Sequence, residues 1–371
     1  MIDFNLSSEQ AQVSQNTRAF AAAFLKDARS KYETIPNGPR RFQSTRPILT
    51  KATELGLVKG FIPAALGGTG GSLLDGVLAV EELHAVEPSV ALTLLANGLG
   101  LSPLLMGGSP EQHQEFLPPF LSGEGAPLAS LVFSEPGGSA NYFEAGGKGM
   151  QTTAKRDGET WVLNGEKVWA TNCAGWDFKG ADLQCVACRE DSPSAGDSEA
   201  SAMILLVTRQ LIDENDPNAY SIVRHLETPG HTACSGPHVK FSNLRVPTRN
   251  VLAAPGTGAA ARLIQAVFTT SAATVGAMSV GIMRGAFASA LDFAKTHDAG
   301  GSVKLLERQS VADLLIDIKM RTESARYLTW KAAHALEHQT KGGAELAYEA
   351  KISCSEAAIK CVADAMKVVG M

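Results

Sequence analysis

Residues 164–172 read Asn164-Gly165-Glu166-Lys167-Val168-Trp169-Ala170-Thr171-Asn172, and how this run is folded decides how the chain is divided. Asn-Gly is a strong tight-hairpin signal, because both central positions of a type I′ turn require φ > 0. Seven residues upstream stands a second such signal, Asp157-Gly158. The two turns separate TTAKR (152–156), TWVL (160–163) and KVWAT (167–171) into a predicted meander. Beyond it, short apolar runs bounded by turn residues predict further strands at Leu183–Cys188, Ala202–Val207, Tyr220–Val223 and Val239–Phe241. Residues 127–252 therefore read as a small antiparallel β-barrel or sandwich.

On either side the apolar period changes to that of helices. Ser7 with Gln10 forms a capping-box pattern at the start of the first helix, Leu73–Glu82 and Val90–Leu105 follow, and Ser109-Pro110 opens another. Between two helices, IPAALGGTGGS (62–72) reads as an interhelical turn, since no Lys-Ser/Thr follows its glycines and no strand precedes them. After residue 258 three long apolar-periodic segments, about 258–297, 303–340 and 343–369, suit an antiparallel bundle. The expected class is α+β, in three zones: a helical domain (1–126), the β-domain (127–252) and a long-helix bundle (253–371).

Composition narrows the function. The 371 residues carry 33 basic against 38 acidic side chains, a net charge of −5, without a basic run, so a nucleic-acid partner is not expected. Six cysteines in a chain of this length make no disulfide scaffold and suit a reducing compartment. The N-terminus MIDFNLSSEQ lacks a basic start and an apolar stretch, against a secretory signal or an Arg-rich transit peptide. The uncharged span Leu263–Ile282 is long enough to cross a bilayer, but its Gln, Thr and Ser residues suit a bundle core helix, and no membrane partner is expected.

Several pairs imitate metal or nucleophile motifs. Cys185 and Cys188 have zinc-like spacing, but no second pair follows and a strand points them to opposite faces. His334 and His338 lie four apart on a helix with no evident third ligand, and His225, His231 and His238 share a loop-rich stretch. No metal site is expected. There is no Gly-x-Ser-x-Gly elbow and no Rossmann fingerprint at a strand-to-helix turn. What remains is Ser134-Glu135-Pro136-Gly137-Gly138-Ser139, a glycine loop after an apolar strand that can offer backbone N–H groups to an anion, and the Trp169-Ala170-Thr171-Asn172 segment. There a Trp can cover a ring system, and a Thr hydroxyl can bond a ring heteroatom.

In order along nearly the whole chain, these stretches resemble the acyl-CoA dehydrogenase superfamily of flavoproteins. Pro63–Gly70 with Glu81-Glu82-Leu83, the 134–139 loop, the 164–172 run, Arg308-Gln309-Ser310-Val311-Ala312-Asp313 and Lys367-Val368-Val369-Gly370 carry the resemblance. Within the superfamily, RFQSTRP (41–47), GEGAPLASLVFSEP (123–136), GWDFKGADL (175–183), SAATVGAM (271–278), QSVADLLID (309–317) and DAMKVVGM (364–371) are similar to the fungal nitroalkane oxidase family. The resemblance implies FAD as cofactor, lying between the β-domain and the bundle. Leu131, Val132, Phe133, Ser134, Gly138, Ser139 and Ala140 would line the isoalloxazine and pyrophosphate. Trp169 and Ala170 would flank the ring, and Thr171 would bond the N5 region. Arg308 and Gln309 would reach FAD from a neighbouring subunit of a homotetramer, and Val369 and Gly370 would begin the adenosine-contacting turn.

The resemblance further implies a small-molecule substrate that loses an α-proton to a carboxylate. A nitroalkane, O2 and water would give an aldehyde or ketone, nitrite and hydrogen peroxide; an acyl-CoA would instead be dehydrogenated to an enoyl-CoA. Three departures bear on the choice. The Phe-Asp-x-x-Arg that typical acyl-CoA dehydrogenases use on the CoA arm is here Phe268-Thr269-Thr270-Ser271-Ala272, with Ser271 resembling the nitroalkane oxidase serine that bonds the catalytic carboxylate. The family's arginine near the pyrophosphate is replaced around Asp298-Ala299. The family's catalytic carboxylate lies past the adenosine turn, inside which this sequence stops at Met371. The chain is therefore expected to be a C-terminally truncated piece of a longer oxidase, or an inactive FAD-binding remnant. The expected location is intracellular, cytoplasmic or peroxisomal.

Overall fold

The computed structural model describes residues 5–144, 146–191 and 199–370; Met371, the last residue of the 364–371 stretch, lies outside them. The principal helices are α1 (Ser8–Phe20), α2 (Leu73–His84), α3 (Pro88–Gly107), α4 (Ala259–Thr296), α5 (Gln309–Glu337) and α6 (Gly343–Val368). The strands are β1 (Ala129–Val132), β2 (Thr153–Asp157), β3 (Thr160–Lys167), β4 (Leu183–Glu190), β5 (Ala202–Thr208), β6 (Tyr220–Arg224), β7 (His238–Pro247) and β8 (Val251–Ala253). The order helices, sheet, long helices is the expected one. By contacts the chain forms two compact units: residues 1–27, 71–91 and 268–371, and residues 28–70 and 92–267.

The first unit is helical. The capping box at its start is formed, with Gln10 N donating to Ser7 Oγ at 3.2 Å and Ser7 N to Gln10 Oε1 at 2.9 Å. Its core packs Val280 and Met283 of α4, Leu315 and Ile318 of α5, and Cys354 and Cys361 of α6. Helix α4 passes α2 closely enough that a Cβ on Gly281 would stand 2.6 Å from the carbonyl oxygen of Glu81, so only glycine fits there.

At that crossing two adjacent carboxylates are buried. Glu81 accepts from Arg284 (2.8 Å) and from Arg326 (3.0 Å), joining α2, α4 and α5. Glu82 accepts from Arg18 (2.8 Å), Ser14 (2.9 Å) and Arg284 (3.1 Å), adding α1. Burial alone pushes the Glu82 carboxyl up, but the hydrogen bonds from Arg18, Arg284 and Ser14 and the charge of Arg284 outweigh it and hold it at about 2.

The second unit is built on an eight-stranded sheet in the order β6-β7-β3-β2-β4-β5-β8, with β1 also beside β4. It is mixed rather than wholly antiparallel. Strands β1 and β2 both run parallel to β4, β1 at its start (Leu131↔Cys185) and β2 at its end (Thr153↔Arg189). Both reach it through long connections, which parallel pairing needs. β4 is buried along six consecutive residues, Leu183–Cys188, as a strand covered on both faces must be.

Asp157-Gly158 makes its hairpin, with Gly158 at φ 59°. Asn164-Gly165 does not. β3 runs through it to Lys167, because the neighbouring β7 is long enough to pair with Thr160–Leu163 and again with Gly165–Lys167. The register shifts between Leu163 and Gly165, so the pair forms a bulge. Gly165 takes φ 142°, a Cβ there would lie 2.5 Å from Thr152 Cα, and Asn164 Oδ1 accepts from Asn243 N at 2.8 Å. KVWAT is consequently no third strand: β3 ends at Lys167 and a turn follows. The expected strand Val239–Phe241 is the start of the longer β7.

Two helices are long and apolar enough to cross a membrane by length and composition, Pro88–Gly107 and Ala259–Thr296; half or more of each apolar window is buried inside the protein.

The depressed Glu82 carboxyl makes stability depend on acid. Its folded value lies below the ordinary 4.5, so its contribution is full above pH 4.5 and lost as pH falls towards 2. Glu82→Gln should therefore lower unfolding stability at pH 7 by roughly 3 kcal/mol and flatten its decline between pH 4.5 and 2, measured by urea unfolding across that range.

Candidate active site

The sequence motifs of the second unit converge where β1 and β3 end. Leu131 and Val132 are buried in β1, and Phe133 and Ser134 emerge half-buried beyond it. Gly138 sits in the left-handed region (φ 95°), Ser139 Oγ reaches Ser134 Oγ at 3.4 Å, and Ala140 is exposed. Among the described residues the backbone N–H groups of Ser139 and Ala140 have no protein partner, as a cradle for an anion requires.

The 167–172 segment is held at nearly every residue. Lys167 Nζ donates to Phe133 O at 2.8 Å and to Glu135 Oε1 at 3.0 Å, with its side chain wholly buried. Val168 N donates to Ser134 O (2.8 Å), and Ser130 Oγ donates to Thr171 O (2.7 Å). Asn172 N donates to Ser235 O (2.8 Å) and its Nδ2 to Thr93 O of α3 (3.0 Å). Asn97, also on α3, accepts from Ala129 N (2.7 Å), so one helix braces the start of β1 and the segment beyond β3. These bonds offset two costly backbone conformations: Trp169 and Asn172 have φ 64° and 71°. A non-glycine residue in that region persists only where its surroundings over-determine it.

The result is a Trp presented outward. Trp169 is 58% exposed while its neighbours Val168 and Ala170 are buried. Beside it Thr171 is half-buried, and its hydroxyl has no hydrogen-bond partner among the described residues. An exposed indole face, a neighbouring hydroxyl and a glycine loop with open N–H groups fit a flavin ring and its pyrophosphate.

Glu135 is the loop's anchor rather than a ligand. Its carboxylate accepts from Gln151 N (2.7 Å), Thr152 N (2.9 Å) and Lys167. Burial pushes its carboxyl up; the Lys167 charge and the two backbone donors bring it below the usual carboxylate value. The sequence alone points to no role for Lys167, Glu135, Asn97 and Asn172. Lys167 carried one usable signal, its place in alternation with Trp161 and Leu163 on β3, which points it inward.

The remaining candidates lie in the first unit. Ser271 is half-buried on α4, its Oγ donating to Phe268 O at 3.0 Å. Arg308 caps the start of α5, exposed, and Gln309 Nε2 donates to Asp313 at 2.7 Å. Val369 and Gly370 (φ 87°) terminate α6. The structure does not bring Ser271 and Arg308 together. Ser271 is 25 residues before the end of α4, roughly 37 Å along the helix, and it is that far end that joins the Arg308 turn through Leu305 N to His297 O. At the pyrophosphate-arginine position, Asp298 accepts from Gly300 N and lies 3.4 Å from Lys304 Nζ.

The metal-like pairs have other occupations. Cys185 Sγ faces Gly100 O, and burial pushes the Cys185 and Cys188 thiols up to about 12, far from thiolate. His334 and His338 stack at 4.0 Å, and His225 lies edge-on to Phe178. Among the described residues no three His, Cys, Asp or Glu side chains cluster for a metal.

Comparison with known proteins shows the family. Residues 7–124 match the acyl-CoA dehydrogenase N-terminal domain and residues 260–371 the acyl-CoA dehydrogenase C-terminal domain. The chain belongs to the acyl-CoA dehydrogenase family, whose members are FAD-dependent oxidoreductases. It is 53% identical to the nitroalkane oxidase of Podospora anserina, over all of this chain and 87% of that one, and 46% identical to the nitroalkane oxidase of Fusarium oxysporum, over all of this chain and 86% of that one. The solved Podospora structure superimposes with a TM-score of 0.95 over all of this chain and 88% of that chain, at 52% identity. The bovine mitochondrial short-chain specific acyl-CoA dehydrogenase is 30% identical, over 86% of this chain and 72% of that one.

Asn172→Ala removes the Thr93 bond and leaves an unsuited side chain at φ 71°, and should cost about 2–4 kcal/mol in urea unfolding. Asn172→Gly, which accepts the backbone conformation, should lose distinctly less.

Proposed function

We propose that this chain carries the flavin-binding machinery of a nitroalkane oxidase, converting a nitroalkane, O2 and water to an aldehyde or ketone, nitrite and hydrogen peroxide. The observation that carries the choice of substrate is the Phe268–Ala272 stretch. Where acyl-CoA dehydrogenases resembling this chain use an Asp and an Arg on the CoA arm, Thr269 Oγ1 hydrogen-bonds Tyr348 OH at 2.7 Å and Ala272 is buried. A pantetheine arm meets no charged partner from this helical turn. The higher identity to the two nitroalkane oxidases than to the short-chain acyl-CoA dehydrogenase supports the same reading.

In this reading Trp169 would cover one face of the flavin ring and exclude water from it. Thr171 would offer its hydroxyl to the N5 region, favouring charge there. Leu131–Ser134 would line the ring, and the 138–140 turn would hold the pyrophosphate. FAD, when bound, would supply the acceptor for the substrate's electron pair. Ser271 would orient the carboxylate that takes the α-proton. Helix α4 itself does not supply that carboxylate near Ser271: the next acid along it is Asp292, 21 residues on.

We further infer a homotetramer of intracellular location, cytoplasmic or peroxisomal. Its support is the outward apolar surface of α5 and α6, where Ile316, Met320, Ile352, Ile359 and Met366 are all exposed. Light scattering of the purified protein should give about four times the 39.0 kDa chain mass; a monomer contradicts this.

Oxygen uptake with nitroethane, with nitrite assayed in the same samples, tests the substrate. Turnover with stoichiometric nitrite is expected. Dye reduction by an acyl-CoA with no nitroethane turnover indicates the dehydrogenase instead, and a yellow protein that no substrate reduces indicates a non-catalytic FAD-binding remnant. In the active protein Thr171→Val should keep FAD and lower kcat about a hundredfold.

A further inference from the structure

Lys167 and Glu135 form a fully enclosed ion pair, with side chains 0% and 4% exposed. The pair is asymmetric. Glu135 spreads its charge over three donors, since Gln151 N and Thr152 N bond it as well as the ammonium. Among the described residues the ammonium has one other acceptor, Phe133 O at 2.8 Å, with the Tyr142 ring 5.9 Å away. Its field therefore falls on the Phe133 carbonyl. That carbonyl and the N–H of Ser134 belong to one peptide unit. A cation on the oxygen draws electron density along the unit and makes the N–H a stronger donor, more so in a low-dielectric interior. The Ser134 N–H has no protein partner among the described residues, and it lies in the strand end that lines the flavin in the reading above. A strengthened donor facing a flavin stabilises the reduced form, which carries more negative charge than the oxidised one.

We propose that Lys167 is a positioning residue that, through the Phe133–Ser134 peptide, raises the reduction potential of the flavin held at this strand end. This rests on the FAD reading. A buried ion pair alone does not require it, because exchanging such a pair for neutral groups often leaves a fold intact. The potential separates the two roles, since a brace that acts only on the fold leaves it unchanged.

The test is the two-electron midpoint potential of the FAD-loaded protein, by equilibration with reference dyes, for wild type, Lys167→Met and the double variant Glu135→Gln/Lys167→Met. Both variants should shift the redox equilibrium at least tenfold towards oxidised flavin, about 30 mV for a two-electron couple. Lys167→Met, which leaves the carboxylate unpaired, should shift it at least as far as the double variant. If Lys167→Met fails to fold, the double variant decides. A folded double variant with an unchanged potential overturns the proposal, as does one that folds by circular dichroism but takes up no FAD. Wild-type protein that binds no FAD removes the functional reading itself, and the proposal with it.

Discussion

The buried bond between Lys167 and Glu135 joins the end of β3 to the loop that leaves β1, and everything presented at that corner depends on it. An ammonium and a carboxylate excluded from water are costly unless each is fully hydrogen-bonded. Here the carboxylate takes two backbone N–H groups and the ammonium takes a backbone carbonyl. Their other partners are thus main-chain groups of two separate segments, at 133 and at 151–152. Satisfying the charges fixes the backbone, and the fixed backbone sustains the left-handed Trp169 and Asn172 just beyond. An outward Trp beside a free Thr hydroxyl follows from that constraint.

The helical unit uses charge differently. Glu81 and Glu82, adjacent on α2, gather arginines from α1, α4 and α5 around a crossing where Gly281 brings two backbones together. Both carboxylates are nearly inaccessible, and each takes a two-nitrogen guanidinium contact, Glu81 from Arg326 and Glu82 from Arg18. This network locks helices to one another. The sheet's ion pair instead ties backbone groups of separate segments together.

Much of this was readable from residues. The helix, sheet and long-helix order followed from a change of apolar period, and Asp157-Gly158 turned as its chemistry demands. Asn164-Gly165 misled because a glycine with positive φ serves a bulge as well as a hairpin. The choice was made by β7, whose pairing partner for this stretch lies some 75 residues downstream and leaves no local mark. The parallel pairing of β1 and β2 with β4 was hidden for the same reason: alternation tells which face a residue takes, not which strand lies beside it. The roles expected of Trp169 and Thr171 came from resemblance to a flavoprotein family, and what the structure shows of them is an outward indole beside a half-buried Thr. Lys167 and Asn97 were not given roles, since a polar residue in a strand or helix is assigned to solvent unless its buried partner is known.

A crystal structure of the FAD-loaded protein tests the central claim most directly, that the 131–140 and 167–172 segments together form the flavin-holding surface. The account predicts the isoalloxazine against Trp169, the Thr171 hydroxyl within hydrogen-bonding distance of its N5 edge, and the pyrophosphate at the 138–140 turn. A flavin bound away from Trp169, or with Thr171 turned from the ring, would contradict it.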